Sequence, residues 1–137
     1  MRDAVLLDTC ALLWLGIGSS SLSQIARETI EETETVFVSP VSLWEISNKY
    51  RQGKLKLALP PREWFARVCE RYRLTTLPIS NETMFLAGEL EDHHRDPADR
   101  MIIAAAKLAD VAVVTADRNF PLYGINVIVA SRTKRTF

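Results

Sequence analysis

The alternation of short apolar runs with longer segments of helical period constrains the fold of this chain more than any other feature. Ala4–Leu7 is a continuous apolar run, and Val111–Thr115 is a second run rich in β-branched residues. Such runs are typical of strands that helices bury on both faces of a parallel sheet. Asp96-Pro97, in contrast, opens a strongly marked helix that reaches about Ala109. The alternation therefore predicts a three-layer α/β/α domain with a central parallel sheet.

The other elements are predicted from the same periods and from their capping residues. Further strands are expected at Val36–Val38, Thr75–Ile79 and Asn126–Ala130. Further helices are expected at Thr9–Ile17 and Glu63–Arg73, and from the cap Ser80 through Met84 to Leu90. Ser21 is expected to cap another helix, which has Leu22, Ile25, Ala26 and Ile30 on one face. A longer helix is expected from Ser39-Pro40 to about Gln52, with Gly53 as its stop. The polar and basic tail, about 131–137, is expected to fray.

Length and composition are those of one soluble domain. The 137 residues suffice for a single core, so positions 1–137 are expected to form one domain. Lys plus Arg and Asp plus Glu each number 17, so any nucleic acid must be bound by local basic patches. Cys10 and Cys69 form no CxxC pattern, which favours reduced thiols and a cytoplasmic location.

The N-terminal stretch has some features of a secretory signal peptide, with a basic residue before an apolar run. Asp3 and Asp8 place charges in this stretch, however, and a charge in the apolar region opposes insertion. Elsewhere the chain has no run that approaches the ~18 apolar residues of a membrane span. We therefore expect a protein that is neither secreted nor embedded in a membrane.

Acidic residues from distant parts of the chain are predicted to meet at one edge of the sheet. Asp8 follows the first strand directly, and Asp117 follows the strand that ends at Thr115. Asp99 and Glu45 lie in the first and second turns of predicted crossover helices, which begin at the carboxyl edge of the sheet. Carboxylates clustered without His or Cys favour Mg²⁺ or Mn²⁺ over Zn²⁺, and such ions promote hydrolysis of phosphate esters.

Each acid also has a structural interpretation that the residues alone leave open. Asp8 fits the N-cap of the following helix, and Asp99 favours the dipole of its helix. Glu45 is placed for a pair with Lys49 one turn later. Asp117 is an ordinary residue for a turn.

Four blocks of the sequence resemble a known family. The blocks are LLDTCALLWL, SPVSLWEISNK, HRDPADRMIIAAA and VVTADRNF. In this order they resemble the conserved blocks of PIN-domain ribonucleases, and they are most similar to VapC-type toxins of type II toxin–antitoxin systems. The resemblance extends from Val5 to about Phe120. It implies the catalytic and metal-binding acids Asp8, Glu45, Asp99 and Asp117, the supporting polar residue Thr115, and a capping role for Asp96.

The resemblance also implies an activity and its partners. It implies a Mg²⁺-dependent endoribonuclease, with Mn²⁺ as an alternative ion, that acts on RNA and is neutralised by a small antitoxin protein. It further implies a homodimer. Alternatives are a housekeeping PIN nuclease of RNA processing and a non-catalytic PIN-fold interaction module; the presence of all four acids argues against the second. A haloacid-dehalogenase phosphatase fits less well, because it would have Asp where this chain has Cys10.

Basic and histidine residues near the acids are secondary candidates. Arg100 and Arg118 each follow a proposed metal-binding acid and are candidate RNA contacts, although Arg100 has the alternative of pairing with a neighbouring carboxylate. Lys49 belongs to a basic stretch that either contacts phosphate or is simply solvated. His93 and His94 are adjacent and are expected to point in different directions, so metal binding by them is not predicted.

Overall fold

A five-stranded parallel sheet forms the centre of the computed structural model, which describes residues 3–131. Its strands are β1 (Ala4–Leu7), β2 (Thr35–Val38), β3 (Leu74–Thr76), β4 (Ala112–Thr115) and β5 (Val127–Val129). Their order is β3-β2-β1-β4-β5, and all four pairings are parallel. β1 therefore lies at the middle of the sheet with β4 beside it. Of the predicted tail, residues 132–137 lie outside the described part of the chain.

Helices cover both faces of this sheet. They are α1 (Thr9–Ile17), α2 (Gln24–Glu32), α3 (Pro40–Arg51), α4 (Pro61–Tyr72), α5 (Asn81–Glu89) and α6 (Pro97–Ala109), with a 3₁₀ turn at Phe120–Tyr123. Val5 and Leu7 pack on one face against α1, α2 and α4, whereas Leu6 packs on the other face against α6. α5 lies against α6, and α3 contacts α1, α4 and α6. The predicted three-layer α/β fold with a central parallel sheet is confirmed.

The predicted start of α2 was wrong. Ser23 rather than Ser21 caps this helix, because the Ser23 hydroxyl accepts a hydrogen bond from the Ala26 N–H at 3.1 Å. Ile25 is 69% exposed and does not share the buried face of Ala26. Successive residues of a helix are separated by about 100°, so a residue beside Ala26 is directed away from the core.

Two other boundaries differ from their predictions because of proline. α4 begins at Pro61 rather than Glu63, since proline is favoured in the first turn of a helix. β3 ends at Thr76 rather than Ile79, and Pro78, just beyond it, has no N–H for the ladder of a sheet. The predicted caps Ser39, Ser80 and Asp96 all accept hydrogen bonds from the first turns of their helices, as expected.

The cysteines agree with the prediction of reduced thiols. Neither Cys10 nor Cys69 is in a disulfide, and burial raises the pKa of the Cys69 thiol. Within residues 3–131, no helix combines the length and the apolar character that crossing a membrane requires.

Candidate active site

Asp8 lies at the carboxyl end of β1 and is completely buried. Its Oδ1 accepts a hydrogen bond from the Ala11 N–H at 2.8 Å, so Asp8 is the N-cap of α1. Its Oδ2 accepts a hydrogen bond from the Thr115 hydroxyl at 2.6 Å, on the neighbouring strand β4. The capping interpretation of Asp8 is therefore correct, and the same carboxylate is also joined to the end of β4.

Thr115 connects Asp8 to Asp117. Thr115 is the last residue of β4, and its hydroxyl oxygen also accepts a hydrogen bond from the Asp117 N–H at 3.0 Å. Asp117 Oδ1 accepts in turn from the Asn119 N–H at 2.8 Å, which is the pattern of an Asx turn. This turn holds the Asp117 side chain beside the carboxyl ends of β1 and β4.

His94 links Asp117 to Asp99. The His94 Nε2 lies 2.7 Å from Asp117 Oδ2 and 3.1 Å from Asp99 Oδ2. Asp99 is in the first turn of α6, and only 1% of its surface is exposed. His93 points elsewhere and contacts Glu91 at 2.9 Å, so the two histidines do diverge. The presence of His94 among the acids was not predicted from the sequence.

Glu45 is held from a different side, by two hydroxyl groups. The Thr9 hydroxyl donates to Glu45 Oε1 at 2.5 Å, and it lies 2.8 Å from the Ser42 hydroxyl. Because a hydroxyl has one hydrogen, Ser42 is the donor to Thr9. Thr9 directly follows Asp8, so this contact brings Glu45 on α3 to the end of β1. Ser42 lies three residues before Glu45 on the same helix, a spacing that could have indicated its role.

The arrangement gathers negative charge where little water reaches it. Asp8 and Asp99 are at most 1% exposed, and buried carboxylates need hydrogen bonds or a cation to offset the loss of hydration. Ligand-type atoms of His94, Asp99 and Asp117 lie within 4.8 Å of one another. Carboxylate oxygens at such spacing fit a hard divalent cation. The carboxylates of this group therefore suit a divalent cation, and the sequence did not predict a histidine beside them.

Arg100 has structural partners that its position in the sequence did not indicate. Its guanidinium donates to the backbone carbonyl oxygens of Ala87, Leu90, Glu91 and His94, at distances from 2.7 to 3.2 Å. Asp92 lies 3.6 Å away and is almost fully exposed, so it adds little. The structure thus favours a structural role for Arg100, which ties the end of α5 and the following loop to α6, over a contact with RNA.

Each of the other two candidate RNA contacts follows a proposed metal-binding acid closely in the sequence. Arg118 is exposed and directly follows Asp117. Lys49 is half-buried on α3, one turn after Glu45. Both stay predictions.

Known proteins resemble this chain in sequence and in fold. The PIN domain family matches residues 5–126. Ribonuclease VapC22 of Mycobacterium tuberculosis is 31% identical over 115 residues, which cover 83% of this chain and 87% of that protein. VapBC2 from Rickettsia felis, solved with a DNA fragment from its promoter, aligns with a TM-score of 0.68 and 17% identity over 91% of this chain and 97% of that one. VapBC-5 from Mycobacterium tuberculosis, a member of the VapBC family of toxin–antitoxin systems, aligns with a TM-score of 0.58 and 21% identity, over 93% and 98% of the two chains.

Proposed function

This chain belongs to the PIN-domain family, and from that premise we propose that it is a metal-dependent endoribonuclease. The observation that carries the proposal is the set of contacts that joins Asp8 to Asp117 through the Thr115 hydroxyl, and Asp117 to Asp99 through His94, whose Nε2 is hydrogen-bonded to Asp117 and lies 3.1 Å from Asp99 Oδ2. The similar VapC22 protein is named a ribonuclease, which supports the same chemistry here.

We assign the acids to the binding of Mg²⁺, or of Mn²⁺. Asp8, Asp99 and Asp117 would hold the ion, and Glu45 would complete the centre from α3. When bound, such an ion supplies Lewis acidity at the phosphate and a nucleophilic water at neutral pH. The chain's own part is to hold the carboxylates in place, by the hydroxyl of Thr115 for Asp8 and that of Thr9 for Glu45.

Substrate binding in this proposal depends on local positive charge, because the formal net charge of the chain is zero. Arg118 and Lys49 are the side chains proposed to contact RNA phosphates beside the acids. Neutralising a few phosphates makes RNA binding weaken as salt rises. Such a dependence is expected for the parent protein.

The test of the nuclease proposal compares two Asp→Asn variants. Purified parent, Asp8→Asn and Asp110→Asn proteins are incubated with labelled RNA in Mg²⁺ or in EDTA. Asp110 is the matched control, because it is exposed at the end of α6 that precedes β4, opposite the acids. We expect cleavage by the parent and by Asp110→Asn in Mg²⁺, and none by Asp8→Asn or in EDTA. Equal cleavage by Asp8→Asn, or cleavage that survives EDTA, would overturn the proposal.

We further propose that the protein is the toxin of a toxin–antitoxin pair and acts in the cytoplasm. Support comes from the fold shared with VapBC-5, a member of a toxin–antitoxin family. A groove of about 480 Å³ between α3 and α4, lined by Leu43, Trp44, Trp64 and Phe65, offers an apolar surface for a small antitoxin.

The toxin proposal is tested by expression in bacterial cells. The parent chain expressed alone should arrest growth, and Asp8→Asn should not. Co-expression of a small protein from the adjacent reading frame should restore growth and co-purify with the chain. Normal growth with active parent protein would contradict the toxin role and favour a housekeeping nuclease.

A further inference from the structure

The His94 side chain lies close to two acids that belong to different elements. Asp99 belongs to α6, whereas Asp117 lies in the turn after β4. The His94 Nε2 is within hydrogen-bond distance of both, at 3.1 Å and 2.7 Å. The imidazole itself is 12% exposed and therefore largely shielded from water. One nitrogen atom thus lies close to carboxylates from two different elements.

The backbone decides which nitrogen of His94 carries the proton. The Asp96 N–H donates a hydrogen bond to His94 Nδ1 at 3.1 Å. A ring nitrogen that accepts a hydrogen bond carries no proton, so the proton of the neutral imidazole is on Nε2. Phe120 contacts the ring edge to face, with centroids 6.1 Å apart, and helps to fix its orientation. Nε2 is therefore a donor, without a lone pair for a metal ion.

We propose that His94 is a positioning residue of the acidic centre. Its Nε2–H holds the carboxylates of Asp99 and Asp117 at the spacing that binds a divalent cation, and His94 does not bind the ion itself. This inference rests on the metal centre of the proposed function. It has a consequence for the choice of metal, because a centre built from oxygen atoms alone favours Mg²⁺ and Mn²⁺, whereas a histidine ligand favours Zn²⁺.

The physical reason for a donor at this position is electrostatic. Two carboxylates that converge on one ion repel each other before the ion binds. An Nε2–H that is hydrogen-bonded to Asp117, with its nitrogen 3.1 Å from Asp99 Oδ2, reduces this repulsion and restricts the Asp117 carboxylate, so less freedom is lost on metal binding. Removal of such a partner in other metal sites typically lowers metal affinity or activity by about 10- to 100-fold.

The inference is tested by Mn²⁺ affinity, measured by isothermal titration calorimetry without RNA. His94→Asn keeps an acceptor for the Asp96 N–H but is too short to donate at the Nε2 position. His94→Gln keeps a donor near that position. His93→Asn is the matched control, since His93 contacts the exposed Glu91 instead of the acids. We expect His94→Asn to bind Mn²⁺ about 10- to 100-fold more weakly than the parent, His94→Gln to lie nearer the parent, and His93→Asn to match it.

Three results would overturn the inference: parent-like affinity of His94→Asn, equal weakness of the Asn and Gln variants, or no Mn²⁺ binding by the parent. Pulsed EPR of the Mn²⁺-loaded parent gives an independent answer that does not depend on the folding of any variant. A hyperfine coupling from a directly bound histidine nitrogen would also overturn it, and absence of this coupling supports it. A parent that binds Mn²⁺ but leaves RNA intact would contradict the nuclease function, while the affinities still decide the role of His94.

Discussion

The Thr115 hydroxyl has two partners, and each is an acid of the candidate site. It donates to Asp8 Oδ2 at 2.6 Å and accepts from the Asp117 N–H at 3.0 Å. A hydroxyl can do both, since it has one hydrogen and two lone pairs. Because Thr115 is 1% exposed, water cannot replace it easily. This residue therefore orients one carboxylate directly and the second through the backbone.

At the residue scale, we predict that Thr115→Val lowers both activity and stability. Valine has nearly the same shape, but it leaves the buried Asp8 carboxylate without one of its donors. The free energy of unfolding in urea should fall by about 1–3 kcal/mol, and RNA cleavage by about 10- to 100-fold. Thr76→Val, on the exposed end of β3, is the control and should change neither. Unchanged cleavage by Thr115→Val would show that the hydroxyl does not orient the acids.

At the element scale, Arg100 ties three neighbouring segments together. It lies in the first turns of α6 and reaches carbonyl oxygens at the end of α5 and in the loop that contains His94. These carbonyls include groups at the end of α5, which have no partner within their own helix. Since His94 belongs to this loop, Arg100 supports the acidic centre without touching it.

We therefore predict that changing Arg100 lowers stability, whereas changing Arg118 lowers RNA affinity. Arg100→Lys can replace few of these bonds and should lower the unfolding free energy in urea by about 2 kcal/mol or more, since each bond to a charged donor contributes roughly 1.5–3 kcal/mol. Arg118→Lys should leave stability unchanged, and Arg118→Ala should weaken RNA binding in fluorescence anisotropy. If Arg100→Lys keeps its stability but loses RNA affinity, Arg100 contacts RNA after all.

The contact between α1 and α4 gives a second prediction at this scale. A Cβ atom added at Gly16 would overlap Trp64 Cζ2 and would lie 2.9 Å from Val68 Cγ2. Gly16→Ala should therefore lower the melting temperature, because overpacking costs about 1–3 kcal/mol and outweighs the helix propensity of alanine. Gly88→Ala in α5 is the control, since a Cβ there meets no atom within 4 Å. It should stabilise the protein by about 0.5–1 kcal/mol. Equal changes in melting temperature for Gly16→Ala and Gly88→Ala would show that the contact between α1 and α4 can accommodate the added methyl group.

At the scale of the whole molecule, α5 presents an apolar surface to solvent. Phe85 is 67% exposed and Met84 is 45% exposed. Exposed large apolar side chains beside each other favour association with another protein surface. We propose a second copy of this chain as the partner, in keeping with the homodimer that the family resemblance implies.

Phe85→Ser is predicted to convert the proposed dimer into a monomer. Light scattering coupled to size-exclusion chromatography measures the mass, and Ile25→Ser is the control because Ile25 is equally exposed on α2, which covers the opposite face of the sheet. The control should remain a dimer. A parent protein of monomer mass, or a Phe85→Ser protein that remains dimeric, would contradict the assignment of this surface.

Much of the fold was predictable, because the decisive signals are local. The buried strand Ala4–Leu7 is a run of apolar residues, and the caps Ser39 and Asp96 precede proline at the helix start. The start of α2 was mistaken because Ser21 and Ser23 are equally good caps in isolation. Packing of Ala26 and Ile30 on the sheet decided between them.

By itself, the sequence determined which acids lie at the carboxyl edge of the sheet, since an acid that follows a strand or opens a crossover helix has its place from topology alone. Only the tertiary structure decided what holds those acids. His94, Thr9 and Arg100 have partners that are 5 to 36 residues away, as in the contact of Thr9 with Glu45. Such contacts depend on how strands and helices are placed side by side, and that placement is a property of the packed core, absent from any short segment of the chain.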